Sequence, residues 1–193
     1  MRKLSLRKPS DEQLREFLEK QSSLKFSYTH VGASAKEPPA EFVVDRTRVE
    51  LGSGPDTFEA ARRALQNWKQ FGLGWVDAWP HEAPIETGQV VAVMGRGAGL
   101  WWLNACRIVY VIDESGPISR FGFAYGTMPG HVASGEERFL IEWDRKTDQI
   151  HYDILAFSQA SDWLIKLAYP IFRRRQKRFG KDSAAAMKKA VQE

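Results

Sequence analysis

The chain has 193 residues, 43% hydrophobic and 27% charged, the size of one domain with enough apolar material for a core without staples. These proportions exclude a disordered polymer and a membrane-embedded chain, and no run reaches the ~18 apolar residues of a transmembrane helix. The single cysteine, Cys106, excludes an intrachain disulfide, and basic residues 1–9 lack the apolar segment of a secretory signal, so a cytoplasmic location is expected.

In chain order, Ser10 opens a predicted helix over 10–20. Its hydroxyl and Gln13 have capping-box spacing, and Leu14, Phe17 and Leu18 follow on one face. Residues 32–40 hold two prolines and read as a loop. Residues 42–51 are β-branched and alternating, hence a strand. Gly52, Gly54 and Pro55 end it and start a second helix. There Phe58, Ala61, Leu65, Trp68 and Phe71 make one apolar stripe of about four turns, ended by Gly72 and Gly74. Strands are then predicted over 89–94, 105–113, 120–128, 136–144 and 149–158, with Gly- and Pro-containing turns between them. Their close spacing requires antiparallel neighbours.

A long C-terminal helix is expected from Ser161-Asp162, with Leu164, Leu167, Ala168, Ile171, Phe172, Arg175, Phe179, Ala186 and Ala190 on one face. Pro170 would bend it, and Gly180 is a second weak point. The net charge of the chain is +4. The segment 161–193 carries nine basic and three acidic residues, a net +6, so the rest carries −2. This order predicts an α+β, helix-grip architecture: a curved antiparallel sheet of about six to seven strands around a long C-terminal helix. The whole chain, 1–193, reads as one domain, with a helical extension over 1–30 and the basic amphipathic helix over 161–193. A sheet wrapped about such a helix tends to leave a ligand-sized hollow.

Several blocks carry a resemblance. They are Asp45-Arg46-Thr47-Arg48-Val49-Glu50-Leu51-Gly52-Ser53-Gly54, Ala64-Leu65-Gln66-Asn67-Trp68-Lys69, Arg107-Ile108-Val109-Tyr110-Val111, Phe121-Gly122-Phe123-Ala124-Tyr125-Gly126-Thr127-Met128-Pro129-Gly130-His131 and Gly135-Glu136-Glu137-Arg138-Phe139. Together with Tyr152-Asp153-Ile154 and Tyr169-Pro170, they resemble uncharacterised protein family 0548. The likeness runs from about residue 28 to the last helix. The resemblance implies a START-like, Bet v 1-like fold, many of whose members bind lipid, sterol or aromatic ligands, a few being cyclases or hydratases. It transfers no catalytic residue, and fold kinship alone does not choose among these functions.

Four groups of residues could carry chemistry. The segment 125–137 joins two strands and ends in His131, Glu136 and Glu137. An imidazole beside a carboxylate suits general acid–base work, although adjacent strand residues face opposite sides, so only one Glu can share a cavity with His131. The bland alternative is turn glycines and exposed strand-end caps. Arg107 interrupts an apolar run, sharing a face with Val109 and Val111 by alternation. It is either an anchor for a ligand's acidic head or half of a structural ion pair with Glu137 or Glu142. Among the aromatics, Phe123, Tyr125, Tyr152, Trp101 and Trp102 are candidate ligand-binding positions, against the alternative of ordinary core. The Trp101-Trp102 pair, after the Gly-rich 95–99 segment, reads as a mobile loop that gates a pocket or touches a membrane surface. Finally, Arg173, Arg174, Arg175, Lys177 and Arg178 form a basic surface, either a solvated face or a contact for anionic membrane, nucleic acid being the less expected partner.

No cofactor or metal is expected. Gly95-Arg96-Gly97-Ala98-Gly99 precedes no helix and is not a nucleotide fingerprint, and the four histidines lack zinc spacing. The leading expectation is a cavity that binds a small hydrophobic, aromatic or lipid-like ligand. The alternatives are a cyclase, hydratase or isomerase using His131 with Glu136 or Glu137, and anionic contact through the basic helix.

Overall fold

The computed structural model describes residues 3–161 and 169–192. The elements are β1 (Lys3–Ser5), α1 (Asp11–Ser22), β2 (Val43–Ser53), α2 (Pro55–Gln66), β3 (Val76–Trp79), β4 (Val90–Gly97), β5 (Leu100–Glu114), β6 (Ile118–Thr127), β7 (Ala133–Asp144), β8 (Gln149–Ala160) and α3 (Tyr169–Ala190). The sheet order is β2-β8-β7-β6-β5-β4-β3, with β1 beside the first residues of β5. Every pairing is antiparallel, and the first long strand pairs with the last. Bulges between Glu50 and Gly52 and between Ile108 and Tyr110 add bend to strands that already twist. The result is the expected α+β layout: a curled antiparallel layer with α3 against its concave face.

The local rules explain most elements. Ser10 accepts from the Gln13 amide at 3.3 Å while Gln13 accepts from the Ser10 amide at 3.0 Å, closing the capping box of α1. Leu14 and Phe17 then bury against Ala92, Met94, Leu103 and Ala105 on the convex face. On the concave face, α2 packs Phe58, Ala61 and Leu65 against Phe121, Phe123, Ile141 and Trp143. Phe71 meets Phe139 at 5.5 Å and Phe179 of α3 at 5.3 Å between ring centroids. This half of the interior is filled with rings.

Three expectations need correction. The second helix stops at Gln66, because Trp68 takes a left-handed backbone (φ 54°) and its indole donates to the Ala83 carbonyl at 2.9 Å. The apolar stripe continues through Trp68 and Phe71, but on a short 3₁₀ turn. Strand β5 begins at Leu100, so Trp101 and Trp102 sit in regular pairing with Arg96 and Gly95 rather than on a mobile loop. Gly180 is a close-packing point in α3: a β-carbon there would lie 2.5 Å from the Thr47 hydroxyl of β2, so the helix needs glycine to seat on the sheet. Asp162, Leu164, Leu167 and Ala168 of the expected C-terminal helix, and the side chains of Pro170, Ile171 and Phe172, lie outside what the structure describes.

Candidate functional site

Where α2 and its rings leave the concave face, between β4–β8 and α3, lies a cavity of about 670 Å³. Its walls are largely apolar, including Phe71, Val93, Ile154, Ala156 and Phe179. Polar side chains also line it, and expected site residues stand at three of these places.

The first is Glu137 of β7. Alternation turns it inward, opposite Tyr125 of β6 in register. The Tyr125 hydroxyl donates to Glu137 Oε2 at 2.7 Å. Burial pushes the carboxyl up to about 7; the tyrosine hydrogen bond pulls it back and the nearby charge of Asp45 adds to the rise. Burial and the neighbouring Glu137 charge hold Tyr125 well above the usual phenol range, so it stays a donor.

The second is His131, after the 128–130 turn. Its Nδ1 accepts from the Ala133 amide at 2.9 Å, which puts the proton of the neutral ring on Nε2. Burial pushes its pKa down to about 4, so the ring is uncharged at neutral pH. Asn104 of β5 steadies this corner by accepting from the Val132 amide at 3.3 Å. His131 and Glu137 line the same cavity, but among the described residues no hydrogen bond joins them.

The third lies where α3 crosses the β4–β5 hairpin. The Arg175 guanidinium sits 4.4 Å from the centroid of the Trp102 ring. Trp102 lies flat on Gly95 and Arg175 covers Gly97, since a β-carbon at either glycine would collide with the indole or the guanidinium. Lys177 and Lys181 stand on the rim.

The other expected site residues fall elsewhere. Arg107 faces the convex side. It donates to the Gln21 and Ser22 carbonyls at 3.3 and 2.6 Å, closing the end of α1, and lies over Phe26. It therefore meets neither a ligand head nor Glu137 or Glu142. Glu136 also faces out, as an acceptor for Tyr28 Oη at 2.6 Å, the Gly32 amide at 2.8 Å, the Ser34 amide at 3.0 Å and the Ser34 hydroxyl. It clamps the 28–34 segment and leaves the acid–base candidates. Phe123 is core against Trp68 and Phe139. Tyr152 is fully buried, sharing a 3.0 Å hydrogen bond with Ser183 of α3. Trp101 points outward beneath Lys8 and Arg96.

The basic run is not one surface. Arg173 forms a two-pronged pair with Asp45, and Arg178 pairs with Asp182 at 3.0 Å and lies over Trp75. Arg175 turns into the cavity, while Arg174 and Lys177 are exposed. Reading the run as surface missed Arg175 as a cavity residue. The signal was there, because Arg175 precedes Phe179 by four positions on the apolar stripe.

A curled antiparallel layer closed by a C-terminal helix is the START-like, helix-grip fold. Human STARD10 shares this fold at a TM-score of 0.50 with 13% identity, over 96% of this chain and 80% of that one. The chain belongs to the family described as domain of unknown function DUF1990, which matches residues 27–186. Its relatives include a UPF0548 protein of Dictyostelium discoideum, 37% identical over 96% of this chain and 94% of that protein. Another from Arabidopsis thaliana is 34% identical over 97% of each. No helix among the described residues is long and apolar enough to cross a membrane.

Proposed function

We infer that this protein binds a small hydrophobic, aromatic or lipid-like ligand inside the cavity. The carrying observation is the cavity itself: about 670 Å³, walled mainly by apolar and aromatic side chains, with polar groups at a few separated points. That combination suits holding one ligand by burial and orienting it by a small number of hydrogen bonds. The filled half of the interior, around Phe71, Phe123 and Phe139, supplies a rigid floor. Two measurements test the reading. Native mass spectrometry of gently purified protein is expected to show a retained small molecule. Titration with the neutral dye N-phenyl-1-naphthylamine is expected to saturate at one dye per chain, and Ala156→Trp, which fills the hollow, to abolish uptake. A chain that neither carries nor takes up such molecules overturns it.

One observation favours a second reading, acid–base catalysis of the cyclase, hydratase or isomerase kind. A cavity carboxyl held near 7 exchanges protons readily at neutral pH. In that reading Glu137 is the proton carrier, Tyr125 holds its carboxylate form, and neutral His131 is a hydrogen-bond partner for substrate. Turnover of a bound carbonyl or olefinic ligand that Glu137→Gln abolishes, with binding retained, would support it. Binding without any conversion leaves the protein a carrier.

A further inference from the structure

The charges lining the cavity do not cancel. Asp45 is held by Arg173, and Arg46 is held by Asp153 at 2.8 Å. Glu136 spends its carboxylate on the convex side. The charges left along its wall are Glu137, capped by Tyr125, half-buried Arg175, and the exposed rim cations Lys177 and Lys181 of α3. Among the described residues none of these three cations has an acceptor or an ion-pair partner.

Arg175 is the informative one. It is half-buried, and burial together with the charge of Arg178 lowers its pKa. The guanidinium carbon lies over the Trp102 ring, an attraction that uses no hydrogen-bond acceptor and leaves N–H donors free. The support is built into the backbone, because both the indole and the guanidinium occupy space that only glycine leaves open at positions 95 and 97. A half-buried cation seated against Trp102 and Gly97, with idle donors at the edge of an apolar hollow, suits the fork of a carboxylate or phosphate.

We propose that the ligand is an amphiphile with a single anionic head, bound by Arg175 on its Trp102 platform with Lys177 and Lys181 at the rim, and an apolar body lying along Val93, Ile154 and Phe179. This rests on the ligand-binding reading above and names the class of ligand.

The test uses N-phenyl-1-naphthylamine as a neutral reporter at pH 8, displaced by dodecanoate, dodecyl phosphate or dodecanol. The proteins are the full chain, Arg175→Gln and, as control, the exposed Arg174→Gln. In the unaltered protein, either anion is expected to displace the dye at a concentration at least ~10-fold below that of dodecanol, a difference typical of a hydrogen bond to a charged group. Arg175→Gln is expected to erase that advantage and leave dodecanol and dye affinity within about twofold, while Arg174→Gln changes nothing. The stronger of the two anions identifies the head as carboxylate or phosphate. Equal displacement by anion and alcohol, or loss of all competitors and dye together in Arg175→Gln, overturns the anionic head and leaves the cavity reading standing. No dye uptake by the unaltered protein overturns both.

Discussion

Glu137→Gln separates a carboxyl buried at a cavity wall from one placed for stability. Holding Glu137 at about 7 instead of its ordinary 4.5 disfavours its ionised form by roughly 3 kcal/mol, at about 1.4 kcal/mol for each tenfold. The side chain is half-buried and water reaches it through the cavity, so about 2 kcal/mol is the expected effect after screening. The sign follows from linkage. A carboxyl whose folded pKa is raised takes up protons on folding between 4.5 and 7, so its contribution is fully present below 4.5 and lost as pH rises through 7. Glutamine keeps an acceptor for the Tyr125 hydroxyl and carries no charge. The variant is therefore expected to be more stable than the parent by about 2 kcal/mol at pH 8 and nearly equal to it at pH 5.

The parent's own pH curve cannot isolate this, because His131 acts oppositely. Its folded pKa, near 4 instead of 6.5, costs stability as pH falls through that interval. His131 is present in both proteins and cancels in their difference. The groups around Glu137 are common to both as well: Tyr125 on β6, Asp45 on β2, Cys106 on β5, Tyr152 on β8 and the cations of α3. Urea unfolding at pH 5, 6, 7 and 8 is the assay, with a shift in midpoint on the order of 1 M at pH 8. A variant less stable than the parent at pH 8, or a difference that does not change with pH, refutes the argument. Either result would mean that a cation already neutralises Glu137.

Glu136→Leu is expected to cost about 3 kcal/mol or more in urea unfolding, since it strands the Gly32 and Ser34 amides beneath the 28–34 segment; a loss below about 1 kcal/mol would contradict the clamp. The His131 ring protons are expected to titrate by NMR with a midpoint near 4, and a midpoint at the ordinary 6.5 would mean the ring is solvated. Arg173→Gln is expected to destabilise by about 1–3 kcal/mol through loss of the Asp45 pair, whereas Arg174→Gln stays within about 0.5 kcal/mol. Equal effects would contradict the unequal placement of the basic run.

Local chemistry wrote most of the layout into the sequence. The Ser10–Gln13 capping box, the β-branched runs and the α2 stripe each report on residues within a turn or two, and each lies close to its expected position. What the sequence hid depends on distant partners. Apolar spacing runs unbroken through Trp68, but the backbone turns there because the indole reaches Ala83. Alternation pairs Arg107 with Val111, yet the bulge between Ile108 and Tyr110 inserts a residue. Arg107 then lies opposite Gly126 while Val111 lies opposite the core residue Phe123, and a one-residue slip moves a side chain to the other face. Period two told that Glu136 and Glu137 must part. It did not tell which one enters the cavity, because the amides that clothe Glu136 come from an aperiodic loop a hundred positions earlier. Arg175 is the opposite case, a local signal that competes with the basic run around it. Its neighbours in the run, Arg173 and Arg178, share its charge but find Asp45 and Asp182. Arg175 alone among these three stands on the apolar stripe, in step with Phe179. A cation on the buried face of an amphipathic helix needs a partner, and among the described residues Arg175 has an aromatic ring and a glycine against it but no acceptor. That imbalance between position and partner, not the density of positive charge, is what marks the residue for a ligand.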